Sequence, residues 1–298
     1  MAENVEDRLT AFLEAVRSIV TGRMRKVTAL TGPADAAALL PGKMLRTRLA
    51  GRFIAAGLAS LRPGVVRRAA AAVELVHTAS LCHDDVIDNA LLRRAQPALW
   101  RRKGMSAAVL IGDLLLCEAV ELMLETRDLD LLGEFMEKVR RVCAAEAEQE
   151  LTLRGQSLDE RTCLRLARDK TGALFAFVAQ ACGATDTAMA GALEKAGYRM
   201  GTAYQLADDL LDVAGCERVA GKTLGTDHKR RKFTLPHVSP DGRRVVRDHV
   251  ERLCRKALAE LEAFPAARAA AEQFMALDLQ PVLARFDRQK EPQTKSAI

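Results

Sequence analysis

A chain of 298 residues is long enough to bury a large hydrophobic core, and aromatic residues make up only 4% of it, which favours helices over sheets. Its seven cysteines are odd in number and scattered without a CxxC pair, so we expect no disulfide framework and no zinc site, and a reducing, cytoplasmic location. The net charge of +6 is dispersed along the chain without zinc fingers or aromatic-rich strands, which argues against a nucleic-acid partner.

The first residues, MAENVEDRLTAFLEAV, are acidic and amphipathic, so they predict a helix and not a signal segment. No uncharged apolar stretch approaches the ~18–20 residues of a membrane span. The longest such stretch, MSAAVLIGDLLLC at 105–117, carries Asp113 in its middle. We therefore predict no integral membrane segment.

Apolar residues then recur at three- and four-residue spacing along most of the chain, which is the pattern of amphipathic helices. The predicted helices cover about 5–21, 43–59, 64–91, 105–126, 131–155, 159–182, 186–214 and 243–262. The longest irregular stretch between them is 215–242, and no period-two strand pattern or fixed repeat is visible. The pattern predicts an all-α bundle of roughly ten or more helices in one domain, 1–298, with a frayed tail at about 289–298.

Two acidic clusters stand in apolar helical context. In LCHDDVIDNALLRR at 81–94, Asp84 and Asp88 are four residues apart and share a helix face. In AYQLADDLLDV, Asp208 and Asp212 repeat that spacing. Like charges so placed destabilise a helix unless a cation neutralises them, and carboxylate oxygens are the ligands that Mg²⁺ prefers. One cluster alone is usually a polar helix face, but two of them predict a magnesium site for a phosphorylated substrate.

Basic residues accompany both clusters. Arginine holds phosphate oxygens with two parallel hydrogen bonds, whereas lysine acts as a point charge. Each base alone is typical of a solvated helix face, but together with the aspartates they predict a diphosphate site. They are Lys43, Arg46, Arg93, Arg94, Lys170 (followed by Thr171) and Lys222.

The order of these motifs resembles that of the trans-isoprenyl diphosphate synthases (polyprenyl synthetases) from about residue 40 to 240. The motifs are PGKMLRT (41–47), VELVHTASLCHDDVIDNALLRR (73–94), LIGDLLL (110–116), EQELTLRG (148–155), DKTGALF (169–175), YQLADDLLDV (204–213) and GKTLGTDHKRRKFTLP (221–236). The sequence departs from the family motifs at Pro41 and Thr47, which replace a Gly and the Pro of GGKxxRP, and at Thr223, which replaces the Pro of GKP. The resemblance implies the isoprenoid synthase fold, with helices around a central cavity, and a homodimer.

The resemblance also implies a role for each motif residue. Two or three Mg²⁺ ions, or Mn²⁺ in their place, would be held by Asp84, Asp88, Asp208 and Asp212. The catalytic and allylic diphosphate-binding set would further include Arg93, Lys170 and Lys222, with Thr171 and Gln205 as polar support. The diphosphate of isopentenyl diphosphate would be bound by Lys43, Arg46, His77 and Arg94.

The implied reaction joins isopentenyl diphosphate to an allylic diphosphate, such as farnesyl or geranylgeranyl diphosphate. In this family a bulky aromatic four or five residues before the first aspartate stops chain growth early. Here those positions hold Ser80 and Ala79, with Val76 a turn below. We therefore predict a product of C20 or longer, with C25–C40 as the expected range, and we expect Ser80→Phe to shorten it toward C15.

Four alternatives stay open at this stage. A short-chain (C15 or C20) synthase would share every motif. A class I terpene cyclase shares the fold and the first DDxxD, but its second metal motif mixes Asn/Asp, Ser/Thr and Glu. A head-to-head condensing enzyme is disfavoured by the GKxxR pattern. A non-catalytic subunit of a heteromeric synthase is an interaction protein on the same fold, and such subunits tend to lose aspartates that are present here.

Overall fold

The computed structural model describes residues 4–30, 32, 39, 41–58, 62–214, 232–238 and 241–283. The predicted frayed tail at 289–298 and most of the predicted irregular stretch 215–242, including Lys222 and Thr223, lie outside these residues. In the described part of the chain, helices account for nearly all of the regular structure. The all-α prediction is therefore confirmed.

The helices follow one another through short connections. They are α1 (Val5–Thr28), α2 (Leu45–Ala55), α3 (Pro63–Ile87), α4 (Leu99–Lys103), α5 (Met105–Leu124), α6 (Leu129–Leu151), α7 (Glu160–Ala167), α8 (Ala173–Ala181), α9 (Thr187–Ala214), α10 (Leu235–Val238), α11 (Gly242–Glu260), α12 (Pro265–Gln273) and α13 (Gln280–Leu283). Two π-helical turns, Arg168–Gly172 and Phe274–Leu279, join α7 to α8 and α12 to α13. None of the described helices combines the length and the apolar character that crossing a membrane requires.

The helix predicted over 64–91 ends earlier, and a small hairpin follows it. The backbone N–H of Asp88 donates to the Asp84 carbonyl at 2.7 Å as the helix cap, and Asn89 then adopts φ +51°. Strands β1 (Leu92–Arg93) and β2 (Gln96–Pro97) pair antiparallel around a tight turn. Strands of two residues are too short to show a period-two pattern, so they could not be predicted from the sequence.

Helix α3 is the central element of the core, because nearly every residue from Ala69 to Ala79 is buried. Its apolar side chains contact α1, α2, α5 and α8. Helix α5 crosses it closely at Gly112, where an added Cβ would lie 2.2 Å from Nε2 of His83. This packing holds the C-terminal end of α3, and thus the first acidic cluster, in a fixed position.

Helix α9 is packed just as closely against the π turn that precedes α8. A Cβ on Gly201 would lie 2.8 Å from Cα of Gly172, so the two backbones meet without intervening side chains. One turn further along α9 the polar residues begin with Gln205. The close approach therefore places the polar end of α9 beside Lys170 and Thr171.

Candidate active site

A cavity of about 640 Å³ opens at the end of the bundle where α3, α6, the first π turn and α9 converge. Most of the predicted site residues line this cavity, although they are far apart in the sequence. They are Lys43, Arg46, His77, Ser80, Asp84, Asp88, Arg93, Arg94, Lys170, Thr171, Gln205, Asp208 and Asp212. Ala79 and Val76, predicted to limit product length, belong instead to the buried core directly beneath.

One wall of the cavity is acidic and is formed by α3 and α6. Asp84 lies in the last turn of α3, Asp88 caps that helix, and Glu146 faces them from α6. Burial raises the pKa of Asp84, and the negative charges of Glu146 and Asp88 raise it further. The carboxylates of this wall therefore disfavour one another's ionised form.

Two lysine ammonium groups compensate part of that charge. Lys232, whose side chain is almost fully buried, places Nζ 2.9 Å from Oδ1 of Asp88, 3.0 Å from Oε1 of Glu146 and 3.4 Å from Oε2 of Glu150. Lys170 forms an ion pair with Glu146 as well. Although burial opposes it, these two lysines lower the pKa of Glu146. Glu146 is therefore an anion that holds both ammonium groups beside the aspartates.

The second acidic cluster faces this wall from α9. Asp208 and Asp212 line the cavity, and Asp212 is buried. A chain of hydrogen bonds runs beside them: Thr171 donates to the side-chain oxygen of Gln205, whose amide nitrogen donates to Oδ1 of Asp209 at 2.7 Å. Thr171 and Gln205, predicted as polar support for the diphosphate, thus contact each other between the π turn and α9.

Another part of the cavity lining is basic. The guanidinium of Arg46 is buried and lies 5.3 Å from the centre of the Phe175 ring, and burial lowers its pKa. Arg94 lies against Gly42, where an added Cβ would be 3.6 Å from its guanidinium. Burial, with the positive charges of Arg46 and Arg94, lowers the pKa of His77 well below its usual value. His77 is therefore neutral and able to donate one hydrogen bond into a positively charged pocket.

Arg93 stands between the two walls. Its Nε and one terminal nitrogen lie 3.0 and 2.5 Å from Oδ1 of Asp85, which is buried. The middle aspartate of the first cluster therefore fixes the hairpin arginine to α3, while Asp84 and Asp88 face the cavity. Lys43, by contrast, is exposed at the cavity rim.

The donor set fits a hard divalent cation, although the described side chains are not drawn together around one point. Within the described ranges, no three His, Cys, Asp or Glu side chains are close enough to hold a metal ion jointly. The aspartates of α3 and α9 nevertheless share one cavity, and all of their donor atoms are carboxylate oxygens, as Mg²⁺ requires. Burial and the neighbouring negative charges of Glu146 and Asp88 raise the pKa of Asp84, and those negative charges favour a cation beside it.

Three residues with clear roles in this geometry were not singled out in the sequence. Glu146 and Lys232 make the ion pairs that link the lysines to the aspartates, and Glu74 is a buried carboxylate in the basic wall. Glu146 lies three residues before Gln149, which accepts a hydrogen bond from Lys170 at 2.8 Å, so the two share one face of α6. That spacing is the one signal that could have identified it.

Known proteins resemble this chain in sequence. The family model described as polyprenyl synthetase matches residues 27–252. A geranylgeranyl diphosphate synthase of Mycobacterium tuberculosis is 36% identical over 221 residues, which is 66% of this chain and 58% of that enzyme. An octaprenyl diphosphate synthase of Haemophilus influenzae is 34% identical over 168 residues, covering 55% and 51%. The matched part of this chain thus spans little more than half the length of these relatives.

A solved structure shows the same similarity across nearly the whole chain. A polyprenyl synthase from Caulobacter crescentus CB15, crystallised with calcium and isoprenyl diphosphate, superimposes with a TM-score of 0.77 at 29% identity. The superposition covers 92% of this chain and 97% of that one. The family match extends over more than half of the sequence and includes both acidic clusters. The chain therefore belongs to the polyprenyl synthetase family.

Proposed function

We propose that this protein is a trans-prenyltransferase that condenses isopentenyl diphosphate with an allylic diphosphate. The observation that carries the proposal is one cavity with an acidic wall from α3, α6 and α9 and a basic wall from α2, α3 and the hairpin. A diphosphate with bound divalent ions suits the acidic wall, and a diphosphate without them suits the basic wall. Only the allylic substrate needs the divalent ions, because only its diphosphate must leave during the reaction.

The bases of the cavity stabilise the charge that develops on the allylic diphosphate. When its C–O bond breaks, the electron pair leaves with the diphosphate, and Arg93 and Lys170 stand beside that oxygen-rich group. Lys222, assigned the same role, lies outside the described residues. The allylic cation then accepts the double-bond electrons of isopentenyl diphosphate, and a proton passes from that unit to the released diphosphate. Bound Mg²⁺ would supply Lewis-acid stabilisation of the leaving group at Asp84, Asp88, Asp208 and Asp212.

The basic wall holds the second substrate in place. Arg46, Arg94 and neutral His77 offer donors to the diphosphate of isopentenyl diphosphate, and exposed Lys43 supplies a further charge at the rim. Because these residues and the acidic clusters line one cavity, the double bond of one substrate can be held beside the cation formed from the other. Such positioning accounts for much of the rate enhancement in reactions of two bound substrates.

We infer a product of C20 or longer. Ser80 lies at the cavity wall one turn below Asp84, and its hydroxyl is turned back to the carbonyl of His77 at 2.9 Å. Beneath it Ala79 and Val76 are small or medium-sized. The range C25–C40 predicted from the sequence stays a prediction, because residues on α6 and α8 also line the cavity.

We further propose that the active form is a homodimer. Helices α5 and α6 expose an unusual number of large apolar side chains, and a second copy of this chain would cover them. They are Met105, Val109, Leu110, Leu114, Leu124, Leu129, Met136 and Leu151. We call these side chains the apolar stripe of α5 and α6. A twofold interface, in which both copies use this same surface, is the simplest way to bury it.

The remaining predictions concern the chain as a whole. One hydrophobic core joins side chains from α1 to the second π turn, which supports a single domain. The cytoplasmic location predicted from the scattered cysteines stays a prediction.

Metal dependence tests the proposal directly. Purified protein is incubated with farnesyl diphosphate and labelled isopentenyl diphosphate, with Mg²⁺, with Mn²⁺ and with EDTA. We expect incorporation of label with either metal and none in EDTA, because the clustered carboxylates repel a diphosphate without cations. Unchanged turnover in EDTA would contradict the metal-assisted mechanism.

A further inference from the structure

Thr47 and Glu74 form a buried pair in the wall of the cavity that the proposed mechanism does not use. Thr47 on α2 is fully buried, and its Oγ1 donates a hydrogen bond to Oε1 of Glu74 on α3 at 2.7 Å. The Glu74 residue is 3% exposed and lines the cavity. A carboxylate that deep requires hydrogen bonds and positive charges as compensation.

The positive charges near Glu74 are those of the basic wall. Burial lowers the pKa of Arg46, and Glu74 is the largest charge acting against that effect. Burial and the neighbouring Arg93 lower the pKa of Arg94, and Glu74 again acts in the opposite direction. Glu74 therefore stabilises both guanidinium groups where water does not reach them well.

Arg46 needs such a partner to hold its orientation. Among the described residues, Nε of its buried guanidinium has no hydrogen-bond partner, and the Phe175 ring offers a contact without a defined direction. Arg46 also directly precedes Thr47 in the first turn of α2. The hydroxyl of Thr47 thus links the backbone that carries Arg46 to the carboxylate that attracts its side chain.

We propose that Glu74 is a positioning residue that aims Arg46 and Arg94 at the diphosphate of isopentenyl diphosphate, and that Thr47 fixes the orientation of Glu74. This inference rests on the proposed function. It also gives a physical reason for Thr47 at a motif position where a Pro is usual, since a proline side chain has no donor. A β-branched threonine has few χ1 rotamers, so its hydroxyl is held toward α3.

Steady-state kinetics of the full-length enzyme with Mg²⁺ separates this role from a purely structural one. Thr47→Val keeps the shape and removes the donor, whereas Glu74→Gln keeps the acceptor and removes the charge. We expect both to raise KM for isopentenyl diphosphate about tenfold, the lower range for a lost hydrogen bond to a charged group. The KM for the allylic diphosphate and kcat should each change by less than about twofold, well below the rise in KM for isopentenyl diphosphate.

Two controls complete the test. Thr47→Ser retains the hydroxyl and should restore the wild-type KM for isopentenyl diphosphate. Thr28→Val removes another buried hydroxyl, which bonds to the Met24 carbonyl on α1, and should leave both KM values unchanged. Equal rises of both KM values in Thr47→Val, or no rise at all in Glu74→Gln, would overturn the inference.

A binding measurement keeps the inference distinct from the proposed function. Calorimetric titration with inorganic diphosphate, without divalent metal, reports on the basic wall even if the protein condenses no substrates. We expect Thr47→Val and Glu74→Gln to weaken this binding about tenfold, and Thr47→Ser to bind like the wild type. Equal affinities for wild type and both variants would refute the positioning role, whereas absence of turnover in the wild type would refute only the proposed function.

Discussion

The ammonium nitrogen of Lys232 lies 2.9 Å from Oδ1 of Asp88, although 144 positions separate the two residues in the sequence. The same nitrogen is 3.0 Å from Oε1 of Glu146 on α6. One buried lysine therefore connects the segment before α10 to α3 and α6 beside the cavity. This contact reduces the repulsion between the carboxylates of Asp88 and Glu146.

Removing the positive charge of Lys232 should make the folded protein less stable. We expect Lys232→Gln to lower the free energy of unfolding by about 1–3 kcal/mol in metal-free buffer, because it removes a buried ammonium that hydrogen-bonds to the half-buried carboxylates of Asp88 and Glu146. Urea denaturation followed by circular dichroism measures the difference. Lys256→Gln, on the exposed face of α11, should change it by less than about 0.5 kcal/mol. Equal effects of the two substitutions would show that the Lys232 ion pairs contribute little.

The aspartates should be required for the chemical step. We expect Asp84→Ala and Asp208→Ala each to reduce kcat by about two orders of magnitude or more, since each removes a carboxylate that would bind the catalytic metal. Turnover is measured with saturating substrates and Mg²⁺. Asp248→Ala on the exposed surface of α11 is the matched control and should be as active as the wild type. Near-normal turnover of Asp208→Ala would remove the second cluster from the metal site.

Product length should respond to Ser80. The side chain lies at the cavity wall one turn below Asp84, so Ser80→Phe would place a ring across the path of the growing chain. We expect the product to shorten toward C15 while the consumption of short allylic substrates continues. Mass spectrometry of the extracted diphosphates gives the distribution. An unchanged product length would mean that the chain grows along another wall.

The apolar stripe on α5 and α6 should mediate dimerisation. Light scattering at micromolar concentration is expected to give twice the monomer mass for the wild type. Leu110→Glu places a charge at the centre of the stripe and should shift the mass toward that of the monomer. Leu277→Glu changes an equally exposed leucine elsewhere, in the second π turn, and should leave the dimer intact. A monomeric wild type would contradict the dimer proposal.

The helices and the acidic clusters could be predicted because both depend on local spacing. The four-residue separation of Asp84 and Asp88 sets their relation before any tertiary contact forms, and the apolar context of α3 and α9 predicts that both helices pack in the core. The predicted end of α3 was wrong by four residues, because Asp88 caps the helix and Asn89 turns the chain into the hairpin. A cap of this kind leaves no periodic signal.

The pairing of charges could not be predicted from spacing. Lys232 reaches Glu146 across 86 residues and Asp88 across 144, so nothing local in either segment indicates the partner. The buried pair of Thr47 and Glu74 spans 27 residues and joins two helices whose relative orientation only the packed core defines. Such contacts follow from tertiary packing, whereas sequence patterns report the faces of single helices.

Mass spectrometry of the product formed from farnesyl diphosphate and isopentenyl diphosphate with Mg²⁺ tests the central proposal most directly. We expect prenyl diphosphates of C20 or longer, each a whole number of five-carbon units above the primer, and no product in EDTA. The absence of any elongated diphosphate, or a cyclised hydrocarbon in its place, would contradict it.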